Sequence, residues 1–119
     1  MDFNSNKPIY LQIAESLYDR ILSGELGGED RIPSVREYGA MLGVNPNTMM
    51  RSYDKLLGEG IVYNKRGIGY FIAPDAREKV LARQREEFLK KEVPAILDRL
   101  ALLGLDTSVF DKADSQSNN

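Results

Sequence analysis

A short stretch that begins at residue 45 contains the side chains best suited to chemistry in this sequence. It carries two amides, a hydroxyl, a flexible thioether and a guanidinium, from Asn45, Asn47, Thr48, Met50 and Arg51. An asparagine amide can pair with adenine, an arginine can pair with guanine or phosphate, and a methionine can lie against a thymine methyl group. Shown together on the outside of one helix, these groups would fit the major groove of DNA. For this stretch alone, the alternative is an ordinary polar helix surface.

Two short helices joined by a tight turn, over about residues 34–57, would hold these side chains in place. Ser34 and Glu37 form a capping box at the start of the first helix, and Gly43 suits its left-handed end. Asn45 is a good N-cap for the second helix, with Pro46 at its first position. The apolar faces comprise Tyr38, Met41 and Leu42 in the first helix and Met49, Ser52, Tyr53, Leu56 and Leu57 in the second. The pattern predicts a helix-turn-helix.

The segments on either side predict the rest of a winged helix. A first helix begins near Pro8. Its buried face includes Ile9, Ile13, Leu17 and Ile21. Residues 31–32 make a minimal strand, and residues 61–73 form a β-hairpin, the wing, around a glycine-containing turn. Lys65 and Arg66 lie at its tip, where they would contact phosphates or the minor groove, unless the hairpin is only a solvated turn.

The composition changes after Pro74 and Asp75, where long-chain helix formers begin. We expect residues 75–110 to form a helical element and residues 111–119 a flexible tail, and we expect Pro94 to kink or break the helix just before it. The helical element cannot bury its own apolar stripes, so we expect it to form a dimer; packing back onto the winged helix is the alternative. The residues predicted at the dimer interface are Val80, Leu81, Phe88, Leu89, Val93, Ile96, Leu97, Leu100 and Leu103.

The composition argues against several classes of function. The 119 residues include no histidine and no cysteine, which removes the commonest general base, any disulfide and any thiolate metal site. No apolar run approaches the roughly 20 residues of a membrane span, and no signal peptide is recognisable. We therefore expect a cytoplasmic protein that is not an enzyme, with no metal, no cofactor and no membrane partner.

The net charge of −2 conceals an uneven distribution of charge along the chain. The whole sequence has 16 basic and 18 acidic residues, but residues 31–70 carry six lysines and arginines against three carboxylates. The cations therefore gather around the helix-turn-helix and the hairpin. This asymmetry is compatible with a polyanionic partner such as DNA, although it does not establish one.

Six short motifs within residues 7–73 resemble the DNA-binding domain of the GntR family of bacterial transcription regulators. They are PIYLQI at residues 8–13, ILSGEL at 21–26, RIPSVRE at 31–37, LGVNPNT at 42–48, LLGEGI at 56–61 and GIGYFI at 67–72. They occur in the order and spacing of the family, so the set is far more specific than any one motif. The VNPNT variant and the short helical tail look like the YtrA subgroup, in which a small helical dimerisation element replaces a large effector-binding domain.

The residue pattern and the resemblance lead to the same expected fold. It is α+β and mainly helical, with a winged helix-turn-helix over residues 7–74 followed by the helical dimerisation element. The candidate DNA-binding residues are Ser34, Arg36, Asn45, Asn47, Thr48, Met50, Arg51, Lys55, Lys65, Arg66, Gly67 and Gly69. The resemblance implies a DNA contact for Arg36 and wing roles for Gly67 and Gly69. Many family members have arginine where this chain has Pro46 and Met50, so we expect a site read partly through A·T pairs and DNA shape.

These observations predict a homodimeric, sequence-specific transcription regulator that binds an inverted-repeat operator. The resemblance implies that this regulator is a repressor. The subgroup implies control of neighbouring transporter genes. An unidentified small-molecule effector would have to bind between protomers or between the winged helix and the tail, because no polar cluster marks a pocket. A protein-interaction adaptor and a small enzyme are the alternatives. The basic wing tip argues against the first, and the lack of any nucleophile–base pair or metal cluster argues against the second.

Overall fold

The computed structural model describes residues 6–117, and its elements follow the order expected for a winged helix. They are α1 (Ile9–Leu22), β1 (Arg31–Ile32), α2 (Val35–Leu42), α3 (Pro46–Gly58), β2 (Val62–Lys65), β3 (Gly69–Ile72), α4 (Ala76–Glu87), a π-helical segment (Phe88–Glu92), α5 (Val93–Leu102) and α6 (Ser108–Ser117). The chain divides into two compact units between Ala82 and Arg83. The predicted α+β, mainly helical winged fold is confirmed.

Helix α1 supplies one side of the core of the first unit. Its predicted buried face is confirmed for Ile13, Leu17 and Ile21, which are at most 1% exposed. Ile9 was expected on the same face but is 41% exposed, because it stands at the start of the helix, one turn before the first core residue. The core therefore begins at the second turn of α1, and the first turn is open to solvent on one side.

Helices α2 and α3 form the predicted helix-turn-helix. The capping box is present: Ser34 Oγ accepts the Glu37 N–H at 3.1 Å, and Glu37 Oε1 accepts the Ser34 N–H at 3.3 Å. Gly43 has a φ of +68° at the end of α2, and Asn45 caps α3. The inner face of α3 is buried at Met49, Ser52, Tyr53 and Leu56 and half buried at Leu57. Both helix starts and both apolar faces thus follow from local sequence, apart from Met41 in α2.

The turn between α2 and α3 depends on a close backbone approach at Gly39. A Cβ at this position would lie 2.8 Å from the Val44 carbonyl oxygen and 3.2 Å from Met49 Cγ. A backbone oxygen cannot move aside unless the turn moves with it, so only glycine fits. The buried residues of α2 are Tyr38 and Gly39. Met41 was predicted on the buried face, but this prediction is wrong: the side of α2 that packs closely is the side of Gly39, and Met41 is 70% exposed.

Strand β3 is the centre of a small antiparallel sheet with the order β1-β3-β2. The pairs are Arg31 with Phe71 and Ile32 with Tyr70 on one side, and Val62 with Ile72, Tyr63 with Phe71, Asn64 with Tyr70 and Lys65 with Gly69 on the other. The minimal first strand and the hairpin are therefore confirmed. The wing turn is confined to residues 66–68, because β2 continues to Lys65 and β3 begins at Gly69.

The first two turns of α4 belong to the core of the winged helix. Ala76 and Val80 are each 1% exposed and are part of the buried cluster. Lys79 Nζ donates to the Gly60 carbonyl oxygen at 3.0 Å, and Arg77 Nε donates to the Leu22 carbonyl oxygen at 3.3 Å, so α4 holds the ends of α3 and α1.

Val80 was predicted at the dimer interface, and its burial in this core removes it from that role. The change in composition predicted a domain boundary at residues 74–75. Composition alone does not reveal that the first turns of the next helix, α4, pack into the core of the winged helix.

The second unit stays helical through residue 102 in spite of Pro94. In the π-helical segment, the Val93 N–H donates to the Phe88 carbonyl oxygen five residues earlier. Proline has no N–H and its ring would clash with the carbonyl four residues before it, so the wider π turn accommodates Pro94 without a break. Of the kink or break expected just before Pro94, no break occurs, and the irregularity there is the π-helical segment Phe88–Glu92.

Helix α6 covers residues where a flexible tail was expected from Asp111 onwards. Asp106 Oδ1 accepts the Ser108 N–H at 2.8 Å, which caps the start of this helix. The compositional interpretation overlooked that local cap, and the tail is helical as far as Ser117. Residues 118 and 119 of the expected tail lie outside the described residues.

We predict that Val80→Ala lowers the free energy of unfolding of the winged helix by about 2 kcal/mol, because it removes two buried methyl groups and leaves a cavity. Urea denaturation followed by circular dichroism, at one protein concentration, would measure the change. Val44→Ala is the matched control, since it removes the same two methyl groups from a valine that is only half buried, and it should cost less. A Val80→Ala variant that unfolds like the wild type would show that Val80 is not a core residue.

Candidate nucleic-acid interface

The tip of α3 presents polar side chains to solvent. Asn45 Oδ1 accepts the Asn47 N–H at 2.8 Å, so the cap uses one end of the Asn45 amide. Asn45 and Asn47 are exposed, and Thr48 is half buried. Asn45 is the N-cap of the helix, and Asn47 and Thr48 lie in its first turn. At this end of a helix, the unpaired N–H groups and the helix dipole favour anions. The structure thus brings the predicted tip residues together.

Met50 and Arg51 follow on the outer side of α3 with unequal exposure. Met50 is half buried and packs against the core, so only part of its side chain is accessible. Arg51 is exposed, and its Cζ lies 4.1 Å from the centre of the Tyr10 ring in α1. The sequence indicated an outward arginine but did not place Tyr10 at the site. No local signal could show their contact, because the two residues are far apart in the chain.

The start of α2 contributes Ser34 and Arg36. Ser34 Oγ is engaged by the Glu37 N–H in the capping box, while Arg36 is exposed. Hydrogen bonding to Ser34, through its side chain and its backbone N–H, lowers the pKa of Glu37, and the positive charge of Arg31 adds a smaller contribution. Glu37 therefore stays ionised at neutral pH and keeps the cap, and Arg36 is held at the first turn of a well-defined helix.

The wing carries two neighbouring cations and an exposed apolar residue at its tip. Lys65 Nζ lies 5.0 Å from the centre of the Phe71 ring, and Arg66 is exposed in the turn. Ile68, which the sequence had not singled out, is 58% exposed in the same turn. The predicted wing cations are thus at the tip of the hairpin, as the β2–β3 register requires.

The two wing glycines have positive φ angles, +78° at Gly67 and +148° at Gly69. A Cβ at Gly69 would lie 2.9 Å from Nε of Arg31, so the Arg31 side chain lies against the backbone of the wing. Arg31 is exposed and pairs with β3 through β1. The sequence analysis counted the charge of Arg31 but did not place Arg31 at the site. A signal was available, because side chains alternate along a strand and the neighbouring Ile32 is buried, so Arg31 is expected to face outwards.

Lys55 lies apart from the other candidates. Its Nζ pairs with Glu59 Oε2 at 2.7 Å, and the same carboxylate also accepts the Tyr18 hydroxyl. The rise of an α-helix places a residue ten positions after the cap about 15 Å along the axis. The structure therefore does not bring Lys55 together with the tip of α3.

Other kinds of site find no support in residues 6–117. Among them, no group of three or more acidic, histidine or cysteine side chains is arranged to hold a metal ion. Within that part of the chain, no helix has the length and apolar character needed to cross a bilayer. The exposed polar groups of α2, α3 and the wing remain the candidate site.

Comparison with known proteins identifies the family. The family model described as bacterial regulatory proteins of the gntR family matches residues 9–72, more than half of the chain. The chain belongs to the GntR family. The match runs from the start of α1 to the end of β3, so it includes the helix-turn-helix and the wing.

Two regulators from Bacillus subtilis (strain 168) are similar to this GntR protein. The HTH-type transcriptional regulator YhcF is 38% identical over 103 residues, which cover 87% of this chain and 84% of that protein. The HTH-type transcriptional repressor YtrA is 32% identical over 97 residues, covering 82% of this chain and 74% of that protein. Both matches are longer than the first unit, so the similarity continues into the second unit, in agreement with the predicted YtrA-like resemblance.

Solved structures agree with this assignment. A GntR-family transcriptional regulator from Bacteroides thetaiotaomicron superposes with a TM-score of 0.75 at 43% identity, covering 93% of this chain and 99% of that one. The DNA-binding domain of AraR, solved in complex with an operator, superposes with a TM-score of 0.55 at 26% identity, covering 61% of this chain and 88% of that one. This GntR protein is a DNA-binding transcription regulator and not an enzyme.

We predict that Ser34→Ala raises the pKa of Glu37 towards its usual value, because the substitution removes the hydroxyl that bonds to the carboxylate. The stabilisation from this carboxylate is present above the usual glutamate pKa and is lost as the pH falls through the lowered pKa of the folded protein. An NMR titration of the Glu37 side chain would measure both values. Ser34→Thr keeps a hydroxyl and should preserve the lowered pKa, whereas an unchanged pKa in Ser34→Ala would contradict the bond between the Ser34 hydroxyl and the Glu37 carboxylate.

Proposed function

We propose that this GntR protein is a cytoplasmic, homodimeric repressor that binds an inverted-repeat DNA operator. The observation that carries the proposal is the exposed polar tip of α3, present in the same folded unit as a basic wing. Asn47 and Thr48 would read base edges in the major groove. Lys65 and Arg66 would contact the DNA backbone or the minor groove next to it and so set the register of the protein on the duplex.

The residues of α3 favour readout of A·T pairs. Pro46 has no side-chain donor, and Met50 is half buried, so neither position supports a bidentate contact to guanine. The exposed amide of Asn47 suits adenine. The amide of Asn45 keeps its NH₂ group as a donor while its oxygen caps the helix. We therefore propose a half-site recognised through A·T pairs, with groove shape adding to the discrimination.

The cations around the tip account for a sequence-independent part of the affinity. Arg36 at the start of α2 and the wing residues Lys65 and Arg66 are exposed, and each can neutralise a phosphate. A dimer presents every one of these residues twice. If it neutralises on the order of 6–10 phosphates, its affinity should fall by roughly 10³–10⁵ between 50 and 200 mM salt.

The second unit supports dimerisation because its apolar side chains are exposed. No described side chain within residues 83–114 is buried. The predicted interface residues there include Phe88 (46% exposed), Leu89 (64%), Ile96 (41%), Leu97 (45%) and Leu103 (56%), with Val93 and Leu100 half buried. At the α-helical spacing, the five of these at positions 93 to 103 fall on one side of α5. A stripe of this kind is stabilised by burial against a second copy.

The regulatory mechanism follows from two-fold symmetry. Two copies of α3 would enter successive major grooves about 34–36 Å apart, and the bound dimer would block polymerase. The sign of regulation is supported by YtrA, a relative named as a transcriptional repressor. Control of neighbouring transporter genes rests on the resemblance to that subgroup. A small-molecule effector would act by changing the separation of the two winged helices.

Selection of duplexes from a random library by the full-length protein should recover an inverted repeat with A·T-rich half-sites. Arg36→Ala should weaken binding to every duplex and lower the salt slope by about 2, because a phosphate contact is sequence-independent and the dimer loses it in both protomers. Asn47→Ala should cost roughly 1–3 kcal/mol, mainly at one base step. Gel-shift titrations on the selected operator and its single-base variants would separate the two effects.

Arg99→Ala is the matched control for these substitutions, since it removes an exposed arginine from the second unit and should leave the affinity nearly unchanged. Wild-type protein that recovers no motif would refute the proposed function. If a motif is recovered but neither Arg36→Ala nor Asn47→Ala alters binding, the two residue assignments are wrong while the function stands.

We predict that Leu97→Glu converts the dimer into a monomer, because a carboxylate resists desolvation in an apolar interface. Sedimentation velocity at several protein concentrations would measure the change. Leu102→Glu is the matched control: Leu102 is 79% exposed and was not predicted at the interface. It lies about 140° around the α-helix from Leu97, so its substitution should leave the dimer intact. Wild-type protein that sediments as a monomer, or a dimeric Leu97→Glu variant, would contradict the proposed interface.

A further inference from the structure

We propose that Tyr10 positions Arg51 for a contact with a DNA phosphate at the edge of the major groove. The inference rests on the proposed function, because it assigns a role within the same DNA complex. Tyr10 lies in the first turn of α1, outside the helix-turn-helix and outside the wing. It would therefore be a positioning residue that acts through the guanidinium of Arg51 and does not itself touch a base.

The contact with Tyr10 is compatible with anion binding by the guanidinium. Arg51 Cζ lies 4.1 Å from the centre of the Tyr10 ring, which is the distance of a cation–π contact. When an arginine stacks on a ring in such a contact, it uses the flat face of the guanidinium, and its five N–H donors lie in the plane and point outwards from the edge. Arg51 is exposed while it makes this contact. The ring thus restricts the long side chain without occupying its donors.

The backbone at Tyr10 is tied to the residue that follows Arg51. Ser52 Oγ donates to the Tyr10 carbonyl oxygen at 2.8 Å, and Ser52 is completely buried. This hydrogen bond joins the start of α1 to the middle of α3. The Tyr10 ring and the Arg51 side chain are therefore attached to two backbones whose relative position is set by the core. An arginine held in this way loses less side-chain entropy on binding than a free one.

The position of Arg51 along α3 favours a phosphate over a base. The groups best suited to bases, Asn47 and Thr48, lie in the first turn of α3, whereas Arg51 comes a full turn later, on the side where α1 begins. A recognition helix of this type inserts its N-terminal residues, while residues further along approach the strand backbones. A phosphate contact at Arg51 would fix the entry angle of α3 and carry no sequence information.

The test uses full-length variants, the operator duplex that the wild-type protein selects, and a scrambled duplex of the same length. Arg51→Gln should lower the salt slope by about 2, because both protomers lose the contact, and it should weaken binding to both duplexes by a similar factor. Tyr10→Leu removes the ring and should weaken binding to both by about threefold to tenfold, whereas Tyr10→Phe keeps the ring and should restore most of the affinity. Thermal unfolding of each variant checks that the fold is retained.

The double variant separates positioning from a general structural effect. In the Arg51→Gln background, Tyr10→Leu should have almost no further effect, because there is no longer a guanidinium to position. An equal loss in both backgrounds, wild-type affinity in Tyr10→Leu, or a Tyr10→Phe variant as weak as Tyr10→Leu would overturn the inference. An Arg51→Gln variant that binds normally, or that changes preference at one base pair, would also overturn the inference. The proposed function would survive each of these results. Wild-type protein without any preferred duplex would overturn both.

Discussion

The packing of the inner face of α3 against the core is the contact on which the candidate DNA-binding surface depends. Met49, Tyr53 and Leu56 are completely inaccessible to solvent, and they share one cluster with the buried face of α1. Because a helix turns by a fixed angle per residue, the burial of one row determines which residues face outwards. The tip amides, the hydroxyl and the guanidinium therefore face outwards as a consequence of apolar burial, with no separate device needed to orient them.

Tyr53 connects this helix to the sheet. Its ring makes an edge-to-face contact with Tyr70 of β3 at 5.0 Å between centres, and its hydroxyl donates to the Pro33 carbonyl oxygen at 2.5 Å. Burial raises the pKa of Tyr53, so the hydroxyl remains a protonated donor at any physiological pH. One side chain of the recognition helix thus contacts the strand that carries the wing and the loop that precedes α2. The three parts of the candidate interface are therefore joined by direct contacts within one folded unit.

The two units of the chain satisfy the hydrophobic effect in different ways. The first unit buries its apolar residues internally, and it takes the first two turns of α4 to do so, through Ala76 and Val80. The second unit is built from helices whose leucines and phenylalanines are largely exposed, as at Leu89 and Phe110. A helical segment with so little internal burial gains stability mainly by contact with another surface. The proposed dimer meets this requirement with a second copy of the same segment.

Local sequence by itself determined the elements of the winged helix, because caps, turns and apolar periodicity act between residues close together in the chain. The capping box at Ser34, the cap at Asn45 and the buried face of α3 all follow from such short-range rules, and the exposed tip residues follow from that face. The tertiary structure alone decided the contacts between distant segments. They include the guanidinium of Arg51 on the Tyr10 ring, Arg31 against the wing backbone at Gly69, and Val80 inside the core, away from any partner. No spacing rule encodes these contacts, since each depends on how whole elements pack together in three dimensions.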